Sequence, residues 1–125
     1  MTDRERLILI VDDDPLFIEQ IGEILNAGGF SFIQASNGIE GLRQLYSTEP
    51  GLVILDIHMP VLDGLQACRM IRAMEKHRDL PILMLTSRGD VTHMMEARKM
   101  GATDYLVKPV DPPSFLSKVE RLFER

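Results

Sequence analysis

Apolar positions along the chain fall into two alternating kinds of segment. Short, nearly continuous runs lie at Leu7–Val11, Phe30–Ala35, Leu52–Leu55, Ile82–Leu85 and Tyr105–Val107. Runs of this length and composition are what strands buried on both faces of a parallel sheet require. Between them the apolar residues recur at helical spacing. Phe17, Ile21, Ile24 and Leu25 share one face of a first helix, and Ile39, Leu42 and Leu45 one face of a second. Leu65, Cys68, Ile71 and Met74 mark a third, Val91, Met94 and Met95 a fourth, and Phe115, Val119, Leu122 and Phe123 a fifth. Asp14 before Pro15, Asp63 before Gly64, and Asp90 can open the first, third and fourth helices; Gly28-Gly29 and Gly101 can close the first and fourth. Strand and helix alternate five times, which predicts an α/β fold with a mostly parallel five-stranded sheet and helices on both faces.

Composition narrows the class. The 125 residues, 45% of them apolar, suit one domain spanning 1–125, with no linker or repeat. The first apolar run is short and follows Asp3 and Glu5, which argues against a leader peptide or a membrane span. A net charge of −5 argues against a nucleic-acid surface, which draws on clustered Lys and Arg. Cys68 is the sole cysteine, so no internal disulfide forms, and a cytoplasmic location is the expectation. Cys68 itself reads as a small core hydrophobe, and the scattered methionines as adaptable core filler.

Ligands of open α/β sheets bind at the carboxyl ends of the strands, near the point where strand order reverses. Here the first strand ends in Asp12-Asp13-Asp14, the third at Asp56, the fourth at Thr86-Ser87 and the fifth at Lys108-Pro109. The second ends in Ser36-Asn37, which reads as an ordinary turn, and Asp14 as a helix cap. Asp12, Asp13 and Asp56 on one rim would be three mutually repelling carboxylates, a conflict that a divalent cation removes. Magnesium suits oxygen ligands of this kind and leaves room for water and phosphate. Lys108 adds a point charge for Asp56 or a phosphoryl oxygen, and Thr86 a hydroxyl. Such a rim lets one carboxylate attack phosphorus, because positioning and charge neutralisation do most of the work of phosphoryl transfer.

Four stretches, Ile8 to Asp14, Leu55 to Gly64, Leu83 to Ser87 and Gly101 to Pro109, give the chain a resemblance over essentially its whole length to the receiver domain of response regulators. The resemblance implies a flavodoxin-like (βα)5 doubly wound sheet of order 2-1-3-4-5. It implies that Asp56 is phosphorylated by the phosphohistidine of a sensor histidine kinase or phosphotransfer protein. Asp13 and Asp56 would bind Mg2+ through their side chains, Asp12 through water, and His58 through its backbone carbonyl. Thr86 would shift toward the phosphoryl group, Tyr105 would turn inward behind it, and Lys108 would pair with it, set by a cis Lys108-Pro109 bond. The signal would pass to the face running from the fourth strand to the fifth helix, which would meet a partner or a second copy in a homodimer.

Ser87, Ile18 and Gly41 depart from the commoner family pattern, where alanine, arginine and alanine are frequent; none removes a group the chemistry needs. His58 has no second His or Cys at ligand spacing, which argues against a transition-metal site; its side chain is expected to flank the pocket mouth. His77 and His93 read as surface residues. Three rivals compete. A haloacid-dehalogenase-type phosphatase needs an aspartate two residues after its nucleophile, where this chain has His58. A flavin carrier of similar fold needs a phosphate loop after the first strand, and three aspartates there would repel its ligand. A receiver-like module that is never phosphorylated is the third, disfavoured by the intact constellation.

Overall fold

In a strand, successive side chains point to opposite faces, so an unbroken apolar run commits both faces of its sheet to burial. The computed structural model, which describes residues 6–87 and 91–124 without the side chain of Val91, shows this in each central strand. The elements are β1 (Leu7–Val11), α1 (Pro15–Ala27), β2 (Ser31–Ala35), α2 (Gly38–Ser47), β3 (Leu52–Asp56), α3 (Gly64–Ala73), a 3-10 turn (Glu75–His77), β4 (Ile82–Thr86), α4 (Val91–Lys99), β5 (Asp104–Val107) and α5 (Pro112–Phe123). All pairings are parallel, and the strand order is β2-β1-β3-β4-β5. The fold is therefore the doubly wound, flavodoxin-like one that the chain's resemblance implied.

Strand alternation sorts the core into two layers. Ile8, Ile10, Ile54, Leu83 and Leu85 meet Phe17, Ile18, Ile21 and Leu25 of α1 and Phe115, Val119 and Leu122 of α5. Leu9, Val11, Val53, Leu55 and Met84 face the other way, onto Leu45 of α2, Cys68 and Ile71 of α3 and Ala97 of α4. Ile18 is thus a core residue, which explains an aliphatic side chain at that position. Pairing runs one residue past the apolar runs at the functional ends, to Asp56 opposite Leu85 and to Thr86 opposite Val107. The site carboxylate and hydroxyl are held by the sheet itself.

The helices start where short polar side chains satisfy first-turn amides. Asp14 accepts from the N–H groups of Leu16 and Phe17, and Asp63 from that of Gln66. Asn37, read as part of a turn, is instead the cap of α2 and accepts from Glu40, while Asp111 caps α5. The expected Asp90 cap lies outside the described residues. Gly29 and Gly101 have positive φ and end α1 and α4.

Two helices sit differently from their predicted stripes. In α2 the buried residues include Gly38, Gly41 and Leu45, and Ile39 is exposed. A Cβ on Gly41 would come within 2.9 Å of Val11, so glycine lets this helix approach the sheet. In α4 the predicted Met95 is exposed, and Ala97 is the buried residue among those described. The carboxyl end of α4 is instead held by polar contacts. Arg72 donates to the carbonyls of Gly101 (2.8 Å) and His77 (3.1 Å) and to the hydroxyl of Thr103, and Cys68 Sγ lies 3.4 Å from the Met100 carbonyl. His77 is buried in the 3-10 turn, not on the surface, because Arg72 and the chain reversal fold that turn inward.

Because Phe115 closes the α1–α5 layer with no exposure, Phe115→Ala is expected to cost about 3–5 kcal/mol of unfolding free energy. Met95→Ala, at an exposed position, should stay within about 0.5 kcal/mol of the parent. Urea denaturation of both variants checks the contrast.

Candidate functional site

Four strands deliver their carboxyl ends to one rim. β1 brings Asp12 and Asp13, β3 Asp56, β4 Thr86 and β5 leads into Lys108. One carboxylate oxygen from each of Asp12, Asp13 and Asp56 lies within 4.8 Å of the other two. Asp12 and Asp56 are buried and Asp13 is exposed, so the cluster opens to solvent on one side.

Neighbouring groups fix each carboxylate. Asp12 accepts the backbone N–H of Asp14 on one oxygen (2.9 Å) and the Lys108 ammonium on the other (2.8 Å). Lys108 stands 3.7 Å from Asp56, so its charge is shared, with Asp12 the nearer partner. Its Nζ also lies 4.2 Å from the centre of the Phe17 ring, a cation–π contact that holds the stem in the rim. The Lys108 N–H donates to the Thr86 carbonyl at 2.7 Å, and the Lys108-Pro109 bond is cis.

Burial first, and then the neighbouring Asp12 carboxylate, push the Asp56 carboxyl up from 3.8 to about 6. The Lys108 ammonium pulls the other way, Asp13 adds to the rise, and a hydrogen bond from the His58 backbone N–H opposes it. Excess negative charge is the dominant electrostatic fact of this rim. Three converging oxygen donors in a partly open cleft fit a hard divalent cation such as magnesium.

The remaining predicted residues lie farther from the carboxylates or behind them. Thr86 is fully buried. Tyr105 is half-buried on the edge strand, beside a groove of about 240 Å³ that it lines with Met94, Met95 and Arg98. The His58 side chain is exposed, and its ring meets that of His93 edge-on, with centroids 4.9 Å apart. His93 is therefore no plain surface residue: it is half-buried, and the turn of α4 directs it to the β3–α3 loop.

Two features of that loop escaped the motif analysis. Gly64 donates its N–H to the Ile57 carbonyl at 2.8 Å, and a Cβ there would collide with the backbone carbonyl of Asp56. The glycine is needed for close approach as well as for opening α3, and its place in the loop just past β3 was the available clue. Val61 has φ of 72°, a left-handed conformation that a β-branched residue adopts only under strain.

Comparison with known proteins agrees with this geometry. The family model described as "Response regulator receiver domain" matches residues 8–120. The chain is 36% identical to the DNA-binding dual master transcriptional regulator RpaA of Synechocystis sp. and 39% identical to the response regulator MprA of Mycobacterium avium, each over 94% of this chain. Those alignments cover 49% and 51% of the relatives, so the chain spans about half the length of the curated relatives it matches. The receiver domain of the sensor histidine kinase PA1611 from Pseudomonas aeruginosa, solved with a magnesium ion in its active-site cleft, superposes with a TM-score of 0.89 at 29% identity, covering 96% of this chain and 98% of that one.

Because the Asp56 carboxyl holds its proton more tightly folded than unfolded, its contribution favours the fold below about pH 3.8 and is lost as pH rises through about 6. Asp56→Asn, which cannot ionise, should therefore raise unfolding free energy in EDTA by about 2 kcal/mol at neutral pH, after allowing for solvent at the open side. The gain should vanish near the acid end of that window; urea titrations at two pH values check both. Gly64→Ala should cost about 2 kcal/mol or more in the same assay, since its methyl group meets backbone and not a flexible side chain.

Proposed function

The chain belongs to the response regulator receiver domain family, and on that basis we propose that Asp56 accepts a phosphoryl group from a histidine kinase or phosphotransfer protein. Receiver domains are signalling switches of two-component systems and not enzymes in the ordinary sense. The observation that carries the site assignment is Asp56 itself, a buried carboxylate at a strand end with two further carboxylates and one shared lysine around it.

In this reading an Asp56 oxygen attacks phosphorus, the bond from phosphorus to the donor imidazole breaks, and its electron pair returns to that ring. The Asp13 and Asp56 side chains and the His58 carbonyl would hold magnesium, with Asp12 acting through water. When bound, magnesium neutralises charge on the carboxylates and on the phosphoryl oxygens. Lys108, shared between Asp12 and Asp56 at rest, pairs with the arriving phosphoryl group. With His58 and not an aspartate two residues after the acceptor, the chain lacks the general acid of a phosphatase nucleophile, so the aspartyl phosphate persists and hydrolyses slowly.

Thr86 shifts toward the added oxygens and Tyr105 swings inward from its groove, which alters the face formed by β4, α4, β5 and α5. Exposed Met95 and the Lys118–Asp104 ion pair (3.3 Å) between α5 and β5 lie on that face, where a partner or a second copy would dock. Phosphorylation biases this face between two arrangements, a population shift. The mostly apolar groove of about 450 Å³ beside Lys108, lined by Phe17, Ile21, Ile24, Pro109 and Val110, is suited to the phosphodonor protein. No helix among the described residues is long and apolar enough to cross a membrane. The reading puts the domain in the cytoplasm with the kinase, and leaves nucleic-acid contact of the kind named for RpaA to regions outside this acidic domain.

Incubation with magnesium and acetyl phosphate is expected to add one phosphoryl mass to the intact protein. EDTA should prevent it and Asp56→Asn should abolish it; no adduct, or one that persists in the variant, would sink the assignment. Magnesium alone should raise the melting temperature of the parent by mass action. Asp13→Asn should remove most of that rise in a thermal titration.

A further inference from the structure

Phosphorylation at Asp56 must reach α4, and the described structure contains a path to it that does not pass through Thr86. His58 stands two residues after Asp56, so the β3–α3 loop that carries it begins at the acceptor itself. The ring of the same residue meets His93 of α4 edge-on, with centroids 4.9 Å apart and planes at 73°. We propose that this contact is a latch joining the acceptor to α4, with His93 a positioning residue that acts through His58; the proposal rests on Asp56 being the acceptor.

The way α4 is held makes such a latch effective. Its carboxyl end is fastened by the Arg72 bond to the Gly101 carbonyl and by Cys68 against the Met100 carbonyl. Along the helix, Ala97 is the buried residue among those described. A segment with few buried contacts sits at the low-stability end of a structure and opens at small cost. An aromatic pair contributes enough to change an opening equilibrium by about two- to tenfold. A phosphoryl group on Asp56 adds charge and bulk at the start of this loop, and the ring of His58 moves against His93.

Hydrogen exchange read by mass spectrometry on the full chain tests this in two stages. In the resting protein, His58→Ala and His93→Ala should each speed exchange of α4 amides by about two- to tenfold. The double variant should go no further, and His93→Phe, which keeps an aromatic edge, should restore slow exchange; a merely structural loss would not be restored. After acetyl phosphate and magnesium, the parent should change its α4 exchange, and His93→Ala should lose at least half of that response while still forming the adduct. Additive effects, or unchanged α4 exchange in either alanine variant, overturn the latch. Absence of the adduct in the parent overturns the acceptor assignment instead, and the resting-state comparison still decides the latch.

Discussion

Everything at the functional rim follows from three carboxylates held close together with too little positive charge between them. Among the described residues, Lys108 is the cation in contact with the cluster, and its distances to Asp12 and Asp56 show it divided between them. The residual repulsion raises the proton affinity of Asp56, keeps the rim open on the Asp13 side, and creates a place where added cations are strongly favoured. A fold selected only for stability would not build such a rim. The cost is carried by two apolar layers that hold the strand ends in place whatever the charge state.

The layers and the rim divide the labour cleanly. Ile8, Ile10, Ile54 and Leu85 pack β1, β3 and β4 against α1 and α5, so the strands that carry Asp12, Asp56 and Thr86 are buried on both faces. Toward the sheet edge the packing thins, and every residue of β5 is only half-buried. The carboxylates thus lie at the buried centre of the sheet and the half-buried strand at its margin. Val61 holds its strained, left-handed conformation in the loop that follows β3.

Most of the rim was legible in the sequence, because a parallel sheet sends every strand's carboxyl end to the same side. Once the five runs were recognised, Asp12, Asp13, Asp56, Thr86 and Lys108 had to converge. What could not be read depended on the rotation and approach of helices, which periodicity leaves undetermined. Ile39 and Met95 fitted apolar stripes yet face outward, since glycines draw α2 onto Val11 and Ala97 is the buried residue of α4 among those described. The meeting of His58 with His93 required residues 35 positions apart to share an edge set by α4 packing. The three acceptors of the Arg72 guanidinium come from the path of the chain past His77, Gly101 and Thr103, which no local pattern encodes.

The ion pair between Lys108 and Asp12 bridges 96 positions of sequence. A chain emerging from the ribosome presents all three carboxylates well before the lysine exists, and β5 can join the sheet only after most of this domain has been made. Premature or truncated products ending short of that strand would carry the acidic cluster without the cation that steadies it. Within this domain the carboxylates and the lysine are therefore united in a single event, when β5 docks.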